Sequence, residues 1–180
     1  MAVYLRIAAT GTEMENTAET SPQYQKIESV SGYEAAIDLV IAQARRNIRI
    51  FDKQASSAFN SLERYELLRS FLLASRINRL RIVMHDTGFL TTNCPRMMSL
   101  LKQFSHCIAI RVTGTDAKQV YDPFTVIDEN HYVHRFHYDS TRGLMALNDL
   151  NEAHEFIDRF EEIWEASIPA VSATTLGLRG

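Results

Sequence analysis

Three times in succession a helical pattern in this chain is followed by a short apolar strand, and then the period changes. Tyr33, Ile37, Val40, Ile41 and Ala44 recur at helical spacing behind Ser31 and Glu34, which are spaced as a capping box, and the strand Asn47 to Asp52 follows. Leu62, Tyr65, Leu68 and Leu72 mark a second helix from about 61 to 74, leading into the strand Leu80 to Asp86. Cys94-Pro95 opens a third helix, because proline fits the first helical turn, with Met97, Leu101 and Phe104 inward and Cys107 to Val112 as its strand. Beyond it, Phe124 to Asp128, His131 to Tyr138 and Leu144 to Leu147 read as three strands joined by turns at Glu129-Asn130 and Ser140 to Gly143. A last helix from Asp149 aligns Ala153, Phe156, Ile157, Phe160, Ile163 and Trp164 as a core stripe. Crossover helices demand parallel strands and hairpins demand antiparallel ones, so the predicted fold is α/β, a mixed sheet with helices on both faces.

At 180 residues, 46% of them hydrophobic, the chain has enough apolar side chains for one domain. Residues 10 to 22 hold almost no large apolar side chain and bury too little to offset ordering. The expected division is a mobile segment at 1–23, the domain at 24–168 and an exit tail at 169–180. Cys94 and Cys107 form neither a disulfide framework nor a zinc spacing. With no secretory signal pattern and no run of about 18 apolar residues, a cytoplasmic protein without a membrane span is expected.

Net charge is −3, which argues against a wholly basic surface, yet the charge is segregated. Residues 45 to 81 hold nine Arg or Lys against three acids, a balance of +6; residues 149 to 165 hold seven acids against Arg159, a balance of −6. Two solvated, mutually attractive faces are the favoured reading, and a basic surface for a polyanion is the sharper one.

Ligands of open α/β sheets sit beyond the carboxyl ends of the parallel strands, here Asp52, His85-Asp86 and Thr113-Gly114. Asp52 has no second acid at the usual near position, and adjacent strand residues such as His85 and Asp86 point to opposite faces, so both read as polar strand ends. His131 and His137 lie about 20 Å apart at ~3.3 Å per residue, too far to share an ion, so neither a metal nor another cofactor is expected. With Arg135 they line a positively chargeable strand face that Arg142 extends at the following turn. That face suits an anion, held more tightly as pH falls through the ordinary histidine range. The other side, with Tyr132, Phe136 and Tyr138, is expected to meet the core. Pairing of Arg135 with Asp128 or Glu129 is the structural alternative.

The order of elements, the strand end Val126-Ile127-Asp128 and the closing Phe160-Glu-Glu-Ile-Trp164 resemble one half of the phospholipase D superfamily over roughly residues 30 to 166. That resemblance implies a phospholipase D-like mixed sheet and a His-x-Lys-x4-Asp signature. Counted back from Asp128, the family's His falls on Tyr121 and its Lys on Pro123; its Gly-Ser falls on Arg135-Phe136 and its later Asn on Asp139. Only Asp128 remains of the motif. The implied protein is a non-catalytic phosphate- or anion-binding module, or an accessory domain for an enzyme or other protein partner, without catalytic residues. A phosphodiesterase or nuclease with an altered nucleophile at Tyr121 is the alternative. Half-length members build their site from two chains, so a homodimer is implied as well.

Overall fold

The computed structural model describes residues 21–173. One eight-stranded sheet organises them: β1 (Gln23–Ile27), β2 (Asn47–Gln54), β3 (Arg79–Asp86), β4 (Ile108–Thr113), β5 (Phe124–Ile127), β6 (His131–Arg135), β7 (Gly143–Leu147) and β8 (Ser167–Val171), in the spatial order β1-β7-β6-β5-β2-β3-β4-β8. β2, β3 and β4 are parallel and every other pairing is antiparallel. Four helices, α1 (Val30–Ile41), α2 (Leu62–Ala74), α3 (Gly88–Asn93) and α4 (Pro95–Gln103), cover one face, and α5 (Leu150–Glu165) covers the other. The mixed α/β sheet flanked on both faces is the predicted architecture.

Strand alternation builds both cores. On β2, Ile48 and Ile50 point toward α1 and α2, while Phe51 points toward α5. The α5 stripe is core: Phe156, Phe160, Ile163 and Trp164 are buried against Phe51, Val83, Phe124 and Tyr132. Each fully buried side chain of this kind contributes about 1.5–3 kcal/mol, so this single helix can seal its face. The two segregated charge blocks meet here. Glu161 accepts from Arg81 at 2.9 and 2.5 Å and lies 3.5 Å from Arg49, so strand arginines clamp the acidic helix. The basic run is also less exposed than its composition suggests. Arg64 is 0% exposed and bonds Glu34 and Asp38, while stacking over Phe59.

Several boundaries differ from expectation for local reasons. The N-cap of α1 is Ser29, which accepts from the Gly32 N–H, and Glu34 is engaged by Ser56 and Arg64 instead of completing a capping box with Ser31. The short helix α3 precedes α4 and was not foreseen. β6 stops at Arg135, not Tyr138, because its last partner is Gly143 at the start of β7. A Cβ on Gly143 would collide with the His134 carbonyl oxygen, so only glycine allows this approach. Consequently Phe136 lies beyond the strand and is exposed, whereas Tyr132 is buried as expected. The sheet also overruns both expected domain boundaries. β1 begins at Gln23 and adds a mostly exposed edge beside β7, and β8 carries the chain through Val171. Pro169 fits β8 because an edge strand leaves one row of N–H positions unpaired. The rest of the expected leader and tail, 1–20 and 174–180, lies outside the described residues.

Candidate functional site

Because β5 runs antiparallel to β2 with Phe124 opposite Phe51, the residues before β5 meet those ending β2 at the carboxyl edge of the parallel strands. Tyr121, Lys53, His137 and Tyr138 gather there. The Tyr121 ring stacks on His137 with centroids 5.8 Å apart and meets Tyr138 edge-on, and Lys53 Nζ lies 4.2 Å above the Tyr138 ring. Tyr138 N–H donates to the Tyr121 carbonyl at 2.8 Å, fixing the two segments together. Lys118 reaches the same edge and donates to the His85 carbonyl at 2.6 Å. The result is an exposed aromatic and cationic rim.

Beneath the rim the polar groups are largely committed. His85 Nε2 contacts the Val120 carbonyl at 2.7 Å; a carbonyl only accepts, so that nitrogen carries the proton and Nδ1 accepts from the Thr113 hydroxyl at 2.7 Å. Burial holds the His85 pKa below the usual imidazole value. Asp86 accepts the Gly88 N–H at the start of α3. Burial pushes the Asp52 carboxyl up to about 7, an effect that Glu34 reinforces and the Lys53 backbone N–H, Arg135 and Arg64 oppose. Asp122 is held by His134 at 2.9 Å and by both terminal nitrogens of Arg159. Burial raises its carboxyl, but the hydrogen bonds from His134 and Arg159 outweigh this and leave it at about 2. Cys94 is buried at the start of α4, and burial raises its thiol. Among the described residues, no three His, Cys, Asp or Glu side chains are grouped to hold a metal.

The four residues expected to form one anion face do not converge. His131 is at the opposite end of β6 from Arg135, where its Nδ1 accepts the Asn148 N–H at 3.1 Å and burial lowers its pKa. Arg135 reaches the α1 side, lying 5.5 Å over the Tyr33 ring and donating to the Ser140 carbonyl. It pairs with neither Asp128 nor Glu129. His137 lies beyond β6 on the Tyr121 rim, and Arg142 is exposed on the turn before β7. Of the four, Arg135, His137 and Arg142 lie toward the carboxyl edge, Arg142 on the turn that returns opposite Arg135, while His131 lies at the amino edge. Lys53 and Lys118, which the sequence reading did not select, stand there too; Lys53 was signalled by its place directly after the strand end Asp52.

Asp128 sits at the other end of the sheet, the amino edge. Its backbone is left-handed, with φ 50°, and its carboxylate accepts three backbone N–H groups, from Arg45 at 2.9 Å and from Arg46 and Asn47 at 2.8 Å. Its own N–H donates to the Asn47 carbonyl and its carbonyl accepts from Arg49. Asp128 therefore clamps the entry to β2 and takes no part in the rim.

A family model described as a domain of unknown function, DUF7931, matches residues 30–176. The chain belongs to the DUF7931 family. No curated protein matches the DUF7931 chain. Among solved structures it is similar to Nuc, a phospholipase D family member from Salmonella typhimurium, with a TM-score of 0.62 and 16% identity over 84% of this chain and 100% of that one. NucT from Helicobacter pylori gives 0.58 and 13% over 83% and 100%. Phosphatidylserine synthase from Haemophilus influenzae Rd KW20 gives 0.54 and 13% over 87% of this chain and 40% of that one. The DUF7931 domain thus has the phospholipase D-like fold that its element order predicted. No helix among the described residues is long and apolar enough to cross a membrane.

Proposed function

We propose that this DUF7931 domain is a non-catalytic phospholipase D-like module that binds a phosphate-bearing ligand at the carboxyl edge, alone or as an accessory to a partner protein. The observation that carries the reading is the rim itself: Lys53, over the Tyr138 ring, and Lys118 supply cations at one edge, where the resemblance assigns the family's His and Lys to Tyr121 and Pro123. Pro123 brings no charge, and its carbonyl is taken by the Arg135 N–H at 2.9 Å. His85 and His134 are poorly placed as imidazole nucleophiles, since His85 has both nitrogens engaged and His134 is bound to Asp122. Charge-assisted bonds from two lysines suit a phosphate without a step that breaks it. A second copy of the chain, implied by the resemblance, would bring two such rims into one assembly.

Phosphate titration followed by amide chemical shifts tests the binding half. Shifts should centre on Lys53, Lys118 and Tyr121, weaken with salt, and vanish in Lys53→Ala/Lys118→Ala. Shifts elsewhere, or none, reject the rim as the site. A second reading, a phosphodiesterase with an altered nucleophile, has one observation in its favour: the half-buried His137 ring lies directly against Tyr121. Purified protein should leave a chromogenic phosphodiester uncleaved above background. Turnover that disappears in Tyr121→Phe or His137→Ala would establish the enzyme instead.

A further inference from the structure

The amino edge carries a surface that the phosphate rim does not use. α1, α2 and α4 end there, and the loops leading into β2, β3 and β4 lie side by side. Arg79 N–H donates to the Arg46 carbonyl at 3.0 Å and Leu80 N–H to the Cys107 carbonyl at 2.9 Å. Arg45, Arg46, Arg76 and Arg79 are all exposed along these loops. The acid in contact with them, Asp128, has its carboxylate occupied by three backbone N–H groups, and exposed Glu129 beside it leaves the surface basic.

Two aliphatic side chains stand among these arginines. Asn78 N–H donates to the Ser75 carbonyl at 3.1 Å, so residues 75–78 make a tight turn with Arg76 and Ile77 at its corners. The turn is rigidly held: buried Asn78 donates to the Phe71 carbonyl at 2.7 Å, and Arg79 Nη1 donates to the Arg76 and Asn78 carbonyls at 2.7 and 2.9 Å. Turn corners usually take Gly, Pro, Asn, Asp or Ser. Here Ile77 is 52% exposed, and Leu73 on the last turn of α2 is 58% exposed. Cations near helix C-termini complement the helix dipoles, which accounts for the arginines but not for the two aliphatics. A polynucleotide would likewise engage the arginines and leave Ile77 and Leu73 without a partner. An anionic bilayer surface satisfies both, since guanidinium binds headgroup phosphate and aliphatic side chains enter the acyl boundary.

We infer that the amino edge docks this domain on an anionic phospholipid surface, with Arg45, Arg46, Arg76 and Arg79 on headgroup phosphates and Leu73 and Ile77 in the interface. The exposed acids of α5, Glu152, Glu155, Asp158, Glu162 and Glu165, lie on the other face of the sheet. An anionic surface repels them, which tilts the domain toward α2 and α4 and leaves the carboxyl-edge rim facing solution.

Cosedimentation of the full chain with phosphatidylcholine vesicles, alone or containing phosphatidylglycerol, tests this. Binding is expected only with phosphatidylglycerol, falling with salt and falling roughly fivefold for each arginine removed. Leu73→Ser/Ile77→Ser should weaken it while keeping the salt dependence. Arg79 also holds the turn, so its removal is expected to lower the melting temperature. The other side chains are exposed, and thermal melts of their variants should match wild type. No association with anionic vesicles overturns the inference. So does vesicle binding that survives Arg46→Glu/Arg76→Glu and is lost in Lys53→Ala/Lys118→Ala, which would place it at the phosphate rim. Binding indifferent to Leu73 and Ile77 and competed away by an oligonucleotide overturns it in favour of nucleic acid.

Discussion

The hairpin of β5 and β6 has two ends that treat polar side chains differently. At its closed end, Asp128 is bound by three backbone N–H groups and holds the entry to β2 in register. At its open end, Tyr121 and Pro123 stand where the resemblance places a His and a Lys, and the Tyr121 ring packs on His137 and Tyr138 at an exposed rim. The contrast separates two roles inside one motif. A carboxylate at the closed end serves the fold whatever chemistry the open end performs, so retaining Asp128 says nothing about hydrolysis.

The sharpest way to break that comparison is to remove Asp128. Asp128→Ala leaves the Arg45, Arg46 and Asn47 N–H groups without their acceptor and puts alanine at a left-handed φ. Hydrogen bonds to a charged group contribute about 1.5–3 kcal/mol each and are not additive, so a total loss of about 3–4 kcal/mol is expected in urea unfolding. A loss under about 1 kcal/mol would mean that the closed end is no more structural than the open one.

An intermediate effect should come from Asp122, which ties the open end to α5. Its folded-state pKa, about 2, lies below the ordinary value of 3.8. The native state therefore binds fewer protons than the unfolded chain between these values. The stabilisation is complete above pH 3.8 and is lost as pH falls through about 2. With allowance for screening at a partly exposed carboxyl, about 1–2 kcal/mol should disappear across that window. Asp122→Asn should flatten this part of the stability-pH curve; an unchanged slope would show that the bonds from Arg159 and His134 contribute nothing.

The same contrast explains what could be read from the chain before its coordinates. Long periodic segments announced α2, α5 and the parallel strands, because each must bury one face. β1 carries Gln23, Tyr24, Gln25 and Lys26 exposed, so its strand character comes from the open edge of β7 and leaves no apolar alternation to read. Pro169 disguised β8 in the same way. At the site, Arg64 looked like surface charge because its acidic partners lie in another helix. Asp128 was legible as a motif position but not as a clamp, since the N–H groups it binds begin 83 residues away. Lys53 and Tyr138 meet only because β5 and β6 fold back beside β2, a contact no local period encodes.

The smallest expected effect lies at Tyr121, and it sharpens the comparison because little should happen to stability. The side chain is 45% exposed, and its backbone carbonyl, which Tyr138 N–H uses, survives any substitution. Tyr121→Ala removes the stack on His137 and the edge contact with Tyr138. Aromatic pairs are worth about 0.5–1.5 kcal/mol when well packed, and half exposure puts this rim pair near the lower end. A loss of about 0.5 kcal/mol is expected, several-fold less than for Asp128→Ala. Phosphate-induced shifts at Lys53 should change in the same variant, because Lys53 stacks on Tyr138 and the rim that positions it is disturbed. If Tyr121→Ala instead destabilises the domain as much as Asp128→Ala and leaves phosphate binding untouched, the open end is part of the structural frame and the division between the two ends fails.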